Sequence, residues 1–214
     1  KAADIKEGYS MTVAPLVADG VVITGISGAE FGTRGFIDGW DPATGKKLWR
    51  TYSIPTPDEP GGDTWKGDTW KLGGGSTWIT GSYDPELNTV YWGIGNPGPF
   101  NAAVRPGDNL YTCSVLALDP KTGKIKWHYQ FSPNNPFDYD SVAEMVLADM
   151  NVEGKPTKVL MDANRNGFFY VLDRTNGKFI RGFPFVDKIT WAKGLDKNGR
   201  PIYDDANRPG NPNE

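Results

Sequence analysis

IDGWDPATGKKLW (residues 37–49) sets the pattern of this chain: an apolar strand, a turn of the form Asp-x-x-x-Gly, and a second strand that ends in tryptophan. The phrase returns as VLALDPKTGKIKW (115–127) and YVLDRTNGKFI (170–180), and SYDPELNTVYW (82–92) is a looser version of it. Aspartate accepts backbone N–H bonds inside such a turn, and glycine takes the positive φ that closes it. The sequence therefore predicts four β-hairpins of related design.

The turn positions also predict local conformation. Gly45, Gly123 and Gly177 should have positive φ, and Asn88 should replace glycine in the looser hairpin because asparagine tolerates left-handed backbone. The tryptophan that ends a hairpin is expected to pack between neighbouring hairpins.

The spacing of the turns favours a β-propeller. The turn aspartates lie at positions 41, 84, 119 and 173, which are 43, 35 and 54 residues apart, close to blades of about 40–50 residues with an insertion. The spacing alone does not assign each hairpin to a blade. Because propellers have about 4–8 blades, we expect residues 1–214 to form one partial all-β propeller domain of about three to four blades, incomplete at both ends.

Composition agrees with many short strands and excludes several functions. The chain has 214 residues, of which 27 are glycine and 17 are proline, and these residues punctuate turns. A net charge of −3 without a basic block argues against nucleic acid as a partner, and no apolar run approaches the roughly 20 residues of a membrane span. A single cysteine, Cys113, excludes an internal disulfide and a cysteine-rich metal cage.

Four further features are interpreted as structural. Residues 55–75 are rich in turn formers and should make a long surface excursion that leads to a Gly-Gly-Gly run. The tail from 196 to 214 is polar, and its ending NRPGNPNE (207–214) has no strand or helix signal. His128 is expected to be a structural residue of a strand, and Cys113 a small buried residue of another.

Beyond the hairpins, six phrases occur in one order along the chain and carry a family resemblance. They are ISGAEFGTRG (26–35), GGGSTW (73–78), GIGNPGPFN (93–101), RPGDNLYT (105–112), PFDYD (136–140) and DANRNG (162–167). Together with the tandem Asp-x-x-x-Gly-x-x-x-Trp turns, they resemble the PQQ-dependent (quinoprotein) alcohol dehydrogenases of the methanol and ethanol dehydrogenase family, nearly along the whole chain. The resemblance implies part of an eight-bladed β-propeller with tryptophan-docking motifs.

The resemblance places a metal ion on Glu30, Asn96 and Asp138. Two carboxylates and an amide carbonyl are hard oxygen ligands, and oxygen and nitrogen atoms of pyrroloquinoline quinone (PQQ) would bring the coordination number to about 6–8. Asp140 matches a second aspartate that the lanthanide-dependent members carry, which implies a lanthanide(III) ion, with Ca²⁺ as the alternative. A trivalent ion gains more than a divalent ion from one more anionic oxygen.

The resemblance also assigns cofactor contacts. Trp78 would be the flat floor under the PQQ rings, Arg165 a cation beside the quinone oxygens, and Asp138 the base that removes the alcohol proton. Ser76 stands where threonine is commoner. The remaining implied contacts to PQQ are Thr12, Ser27, Gly28, Ala29 and Ser76.

The implied reaction is oxidation of a small primary alcohol, methanol or ethanol, with electrons passed to a cytochrome c in the periplasm. A homodimer is compatible with the resemblance. The rival interpretation is a non-catalytic propeller scaffold with the same repeats. A scaffold has no reason to gather Glu30, Asn96, Asp138 and Trp78 at one end of an axis, so their positions discriminate.

Each site residue has an ordinary alternative. Glu30 could be a surface acid, Asn96 a turn former before a proline, and Asp138 and Asp140 solvent-exposed loop acids. Arg165 could simply brace its own turn.

Overall fold

A computed structural model describes residues 1–209, almost all of whose regular structure is antiparallel strand. The strands are β1 Leu16–Ala18, β2 Val21–Thr24, β3 Phe36–Trp40, β4 Lys47–Tyr52, β5 Ser82–Asp84, β6 Thr89–Gly93, β7 Ser114–Leu118, β8 Ile125–Gln130, β9 Val146–Val152, β10 Lys155–Ala163, β11 Phe168–Asp173, β12 Phe179–Pro184, β13 Ala192–Leu195 and β14 Pro201–Tyr203. Single 3₁₀ turns occur at Ile5–Glu7, Ala29–Phe31, Gly62–Thr64, Thr69–Leu72, Ala102–Val104 and Asp205–Asn207. Within residues 1–209, therefore, no helix could span a bilayer.

The strands form three four-stranded sheets and a separate hairpin. Sheet I has the order β1-β2-β3-β4, sheet II β5-β6-β7-β8 and sheet III β12-β11-β10-β9, while β13 pairs with β14. Every pairing is antiparallel between strands that are adjacent in sequence. These up-and-down sheets are propeller blades, and the expectation of an all-β partial propeller is confirmed.

All four predicted hairpins are present, but they occupy three sheets. The hairpin around Asp84 joins β5 to β6 and the one around Asp119 joins β7 to β8, so both belong to sheet II. The 35-residue interval between them is therefore a spacing within one blade. Positive φ is confirmed at the predicted turn positions, at 68° for Gly45, 70° for Gly123, 76° for Gly177 and 45° for Asn88.

Tryptophans dock from one sheet onto the turn of the next. A Cβ added to Gly123 in sheet II would lie 2.3 Å from Trp49 of sheet I, and one added to Gly177 in sheet III would lie 2.5 Å from Trp127 of sheet II. The glycine of each turn thus leaves space for an indole ring of the neighbouring sheet. The expected packing of tryptophan between neighbouring hairpins is confirmed.

Sheet II is buried on both faces. Along β6, Val90 and Trp92 face a core shared with Ile23 and Ile37 of sheet I. Between them, Tyr91 points to the opposite side, into a core that it shares with residues of sheet III. Side chains alternate along a strand, so β6 serves two cores at once and all five of its residues are buried.

Two loop segments contain ordered structure that the sequence did not reveal. The polar segment from 196 onward contains β14, and Tyr203 on this strand packs edge-on against Trp191, with ring centroids 5.3 Å apart. Residues 210–214 of the polar tail lie outside the described residues. In the 55–75 excursion, the glycines 73–75 are buried. Cys113 is buried but lies just before β7, with φ +49°.

Candidate functional site

The candidate residues lie at one end of the sheets because of strand topology. In an antiparallel up-and-down sheet, every second connection lies at the same end. The Asp-x-x-x-Gly turns and the short turns 19–20 and 153–154 occupy one end, so the other connections within and between the three sheets occupy the opposite end. These connections are 25–35, 53–81, 94–113, 131–145 and 164–167. Every candidate residue except Thr12 belongs to one of them.

Backbone hydrogen bonds join four of these connections side by side. The N–H of Thr77 donates to the carbonyl O of Ile26 at 2.8 Å, and that of Gly75 donates to the carbonyl O of Asn96 at 2.8 Å. The N–H of Ser141 donates to the carbonyl O of Ile94 at 3.2 Å. The segments around 26, 75, 95 and 141 are therefore held in a fixed order across the first two sheets.

Gly95 has a steric reason to be glycine. A Cβ at this position would lie 2.6 Å from Oδ1 of Asp140 and 2.8 Å from Oγ of Ser76. Both distances are shorter than real Cβ contacts, so a side chain here would displace the Asp140 carboxylate.

Glu30 and Asn96 line the same pocket. Its volume is about 220 Å³, and apolar residues such as Leu72 and Phe100 form part of its wall. Asn96 is 2% exposed, and its Oδ1 has no hydrogen-bond partner among residues 1–209, while its Nδ2 donates to the carbonyl O of Pro97 at 3.2 Å. An unpartnered buried oxygen costs about 1–3 kcal/mol, which a cation at this position would offset.

Asp138, Asp140 and Arg165 form a second group. Arg165 lies 3.8 Å from Oδ2 of Asp138 through Nη2 and 3.7 Å from Oδ2 of Asp140 through Nη1. The Asp138 side chain is 40% exposed and that of Asp140 only 9%. Asp138 has φ +58°, an uncommon conformation for a residue other than glycine. The turn at 164–167 is braced by Asn164 and Asn166, and Arg165 faces the carboxylates.

The carboxylates have raised pKa values. Burial is the main cause for Asp140, whose pKa rises to about 6, and the nearby charge of Asp138 adds to it, while hydrogen bonds and Arg165 oppose it. Burial also raises the pKa of Asp138, with Glu30 adding to the effect and Arg165 reducing it. The influence of Glu30 on Asp138 links the pocket to the Asp138 group.

Asp140 is hydrogen-bonded directly to two other candidate residues. Its Oδ1 accepts the backbone N–H of Asn96 at 2.6 Å, and its Oδ2 accepts the indole N–H of Trp78 at 3.2 Å. Trp78 is half-buried. Its carbonyl O accepts the hydroxyl of Thr12 at 3.4 Å, and Thr12 Oγ1 lies 2.7 Å from Ser27 Oγ.

Three of the expected cofactor contacts are buried or already packed. Ala29 and Ser76 are 1% and 3% exposed. A Cβ on Gly28, which has φ +123°, would lie 2.3 Å from the carbonyl O of Gly8. The close approach that requires glycine at this position is thus to the chain itself.

The chemistry of the donor set fits a hard cation. No three histidine, cysteine, aspartate or glutamate side chains within residues 1–209 are grouped so that they could hold an ion. A set of Glu30, Asn96 and Asp138 contains only two such side chains and depends on the Asn96 amide oxygen, the atom that lacks a partner. Oxygen donors of this kind suit Ca²⁺ and similar hard ions.

Arg105 is a residue whose role the sequence did not reveal. It is fully buried, and its guanidinium donates to the carbonyl O atoms of Pro99, Phe100 and Asn135 at 2.6, 3.1 and 2.6 Å. Asn135 Oδ1 in turn accepts the backbone N–H of Tyr139 at 3.0 Å. Arg105 therefore clamps the loop that follows Asn96 to the loop that carries the two aspartates. Its place in RPGDNLYT was the only signal.

Comparison with known proteins identifies the family. The model of the PQQ glucose/ethanol/alcohol dehydrogenase β-propeller domain matches residues 1–186. The chain belongs to this PQQ-dependent dehydrogenase family. The resemblance stated from the sequence is thereby confirmed.

Among proteins of this family, the chain is 52% identical to quinoprotein alcohol dehydrogenase PedH of Pseudomonas putida, over 99% of the chain and 38% of that protein. It is 48% identical to a quinohemoprotein alcohol dehydrogenase of Comamonas testosteroni, over 96% of the chain and 31% of that protein. The structure of a europium-containing methanol dehydrogenase aligns with a TM-score of 0.90 and 43% identity, over 94% of the chain and 38% of that structure. The chain thus spans well under half the length of these relatives.

Proposed function

We propose that a full-length protein carrying this chain oxidises small primary alcohols to aldehydes with PQQ and a hard metal cation. The observation that supports this most directly is the buried, unpartnered Oδ1 of Asn96, which shares a pocket with Glu30. A scaffold has no use for an orphaned amide oxygen beside a carboxylate. The family relationship supplies the cofactor class.

In this proposal, the residues of the chain have separate roles. Glu30, Asn96 and Asp138 hold the cation, with Asp140 as a further anionic oxygen, and the bound cation and PQQ supply Lewis-acid and hydride-accepting chemistry. Asp138 takes the alcohol proton. Because burial raises its pKa, its carboxylate is a stronger proton acceptor than an ordinary aspartate.

Around the cofactor, Trp78 presents a rigid apolar face and Arg165 a fixed positive charge for the electron-rich reduced ring. Arg165 already faces both aspartates. The other proposed contacts to PQQ are Thr12, Ser27, Gly28, Ala29 and Ser76. Because Ala29 and Ser76 are buried, they would contribute by packing that supports the site.

The finer assignments are also proposals. A lanthanide(III) ion is favoured over Ca²⁺ by Asp140. The electron acceptor is a cytochrome c, in keeping with the haem in the name of the Comamonas relative, and the location is the periplasm. Methanol and ethanol both remain candidate substrates, and a homodimer of the whole enzyme is compatible with this proposal.

The test uses the full-length protein stripped of PQQ and metal. Reconstitution with PQQ and La³⁺ or Ca²⁺ should restore alcohol-dependent dye reduction on methanol, ethanol or both. Asn96→Ala and Glu30→Gln should each lower metal affinity on the order of 100-fold. The matched controls are Asn151→Ala and Glu144→Gln, since both residues are exposed and neither lines the pocket.

Two outcomes would contradict the proposal separately. If the reconstituted protein oxidised neither alcohol, the scaffold interpretation would replace the enzyme. If it was active and Asn96→Ala bound metal as tightly as Asn151→Ala, the metal site would lie elsewhere.

A further inference from the structure

We infer that Asp140 is a positioning residue that holds the indole ring of Trp78 and the backbone of Asn96 in their working places before any ion or cofactor arrives. The inference rests on the proposed cofactor site and adds to it a role for Asp140 other than metal ligation. It follows from how the two carboxylate oxygens are used.

Each oxygen of Asp140 has its own N–H donor. Oδ1 accepts the backbone N–H of Asn96 at 2.6 Å, and Oδ2 accepts the indole N–H of Trp78 at 3.2 Å. Only a group with acceptors on both arms can make this pair of bonds. A carboxylate is such a group, whereas an amide has one acceptor and one donor.

The surroundings of the Asp140 carboxylate restrict its movement as much as its hydrogen-bond partners do. The Asp140 side chain is 9% exposed, and Gly95 leaves the space in which Oδ1 lies, because a Cβ there would be 2.6 Å away. In such a buried place, charge-assisted hydrogen bonds are stronger than ordinary ones. The carboxylate therefore cannot rotate without losing both bonds.

The consequence for Trp78 is orientation. An indole ring held only by apolar packing can swing about its side-chain torsions, and Trp78 is only partly buried. The bond to Asp140 fixes the ring edge, and the Thr12 hydroxyl bound to its carbonyl O fixes the backbone. A flat surface for a ring system is thus preformed, which reduces the entropic cost of binding.

The consequence for Asn96 is placement of its free oxygen. The N–H bond to Asp140 sets the backbone from which the side chain leaves, and Nδ2 is held by the carbonyl O of Pro97. Oδ1 is then left without a partner. Because each carboxylate oxygen has two lone pairs, Asp140 can keep these bonds and still offer an oxygen to an ion.

Asp138 is the natural contrast. It lies two residues away and also faces Arg165, but its side chain makes no hydrogen bond to Trp78 or Asn96 among those of the described residues. Replacing either aspartate by asparagine removes one negative charge near the proposed PQQ site. Only the replacement at 140 also removes an indole or backbone acceptor.

The first experiment observes the bond itself in full-length apoenzyme labelled with ¹⁵N-tryptophan and treated with EDTA. The Trp78 indole N–H signal is assigned from Trp78→Phe. In Asp140→Asn and Asp140→Ala it should move upfield and exchange faster with solvent, and in Asp138→Asn it should stay. The Trp92 indole N–H, which donates to the Thr77 carbonyl O at 3.1 Å, is the internal control and should not change.

The second experiment measures PQQ affinity in EDTA by equilibrium dialysis. Loss of one charge-assisted bond should weaken binding by about 5- to 10-fold in Asp140→Asn. Asp138→Asn should bind PQQ equally or more tightly, because PQQ is an anion and a nearby negative charge has been removed. The two isosteric variants are thus expected to differ in the direction of the effect.

Three results would overturn the inference. One is an unchanged Trp78 signal in both Asp140 variants. Another is a shift of the Trp92 signal together with that of Trp78, which would show a general structural role. The third is equal PQQ affinity for Asp140→Asn and Asp138→Asn. If the parent bound no PQQ even after La³⁺ or Ca²⁺ was restored, the proposed function would fail, and the indole signal would still decide whether Asp140 positions Trp78.

Discussion

The indole N–H of Trp49, in sheet I, donates to the carbonyl O of Pro120, in the turn of sheet II, at 3.0 Å. The Thr51 hydroxyl, on the same strand, donates to the carbonyl O of Gly123 at 2.6 Å. One turn therefore receives both the ring and the hydrogen bonds of the neighbouring sheet. The joint between the two sheets therefore contains specific hydrogen bonds as well as apolar packing.

This joint predicts unequal effects of two glycine substitutions. Gly123 and Gly154 both have positive φ, at 70° and 83°, so alanine is strained at each, by about 1–2 kcal/mol. Only at Gly123 would the Cβ meet an indole, because within residues 1–209 no atom beyond the chain neighbours lies within 4 Å of a Cβ built at Gly154. Gly123→Ala should lower the free energy of unfolding by a further 1–3 kcal/mol or so. Equal melting temperatures for the two variants of the full-length protein would contradict this.

Trp78 and Trp92 should separate cofactor binding from folding. Trp92 is fully buried in the core between sheets I and II, so Trp92→Ala should cost about 3–5 kcal/mol of stability. Trp78 is half-buried, and Trp78→Ala should mainly lower the PQQ content of the purified full-length protein. A normal PQQ content with a lowered melting temperature would mark Trp78 as an ordinary packing residue.

Asp140 should discriminate between cations. Attraction to a carboxylate scales with the charge of the ion, so Asp140→Ala should reduce La³⁺ affinity more than Ca²⁺ affinity in the full-length apoenzyme, measured by titration with each ion. Reconstituted activity should follow the same order. If the parent was fully active with Ca²⁺ and gained nothing from La³⁺, the lanthanide assignment would be abandoned and the quinoprotein assignment kept.

We expect Arg105 to be important for stability, although no role in the reaction is proposed for it. Arg105→Met would leave the carbonyl O atoms of Pro99, Phe100 and Asn135 without their donor, at about 1–3 kcal/mol for each buried group. Metal affinity should fall as well, because both ligand loops are anchored there. Arg181→Met, at an exposed position, is the control. Unaltered chemical denaturation of Arg105→Met would refute the clamp.

Asp162 predicts a pH dependence of stability. It is 1% exposed, one carboxylate oxygen has no hydrogen-bond partner in the described part of the chain, and burial raises its pKa to about 7. The folded state thus holds this proton more tightly than the unfolded state, whose aspartates have pKa values near 3.9. Stability should therefore fall as pH rises from about 4 to 7, by up to a few kcal/mol from this group alone.

Asp162→Asn should remove this contribution, so the variant gains stability relative to the parent at pH 8 and gains little at pH 4. Asp149→Asn is the contrasting control, since Arg174 lowers the pKa of Asp149. The measurement is the melting temperature of each protein across this pH range. A difference in melting temperature between the parent and Asp162→Asn that stays constant with pH would disprove the prediction.

The hairpins were predictable because their determinants are local. An Asp-x-x-x-Gly turn contains its own hydrogen bonds, so Asp41, Asp119 and Gly177 behave as the sequence indicates. The number of blades was less accessible. Whether two hairpins share a sheet depends on the pairing of β6 with β7, which spans an excursion of 20 residues between them, 94–113.

In the candidate site, too, some residues could be predicted from the sequence and others could not. Glu30, Asn96 and Asp138 were found by resemblance, and ordinary sequence patterns do not reveal that loops of different sheets meet. Arg105 was missed because its partners are carbonyl groups, which no residue identity encodes. Asp162 was missed because only burial distinguishes it from any other aspartate at a strand end.

The docking of Trp49 on Gly123 and of Trp127 on Gly177 has a direction. Each joint takes the indole from the earlier sheet and the glycine from the later one, so the contact is heterologous, like the head-to-tail contact of a cyclic oligomer. Such a contact can be repeated in only one sense of rotation and ends when the last member meets the first. Two copies related by a two-fold axis would bring indole against indole at these surfaces, so a symmetric dimer must use a different face.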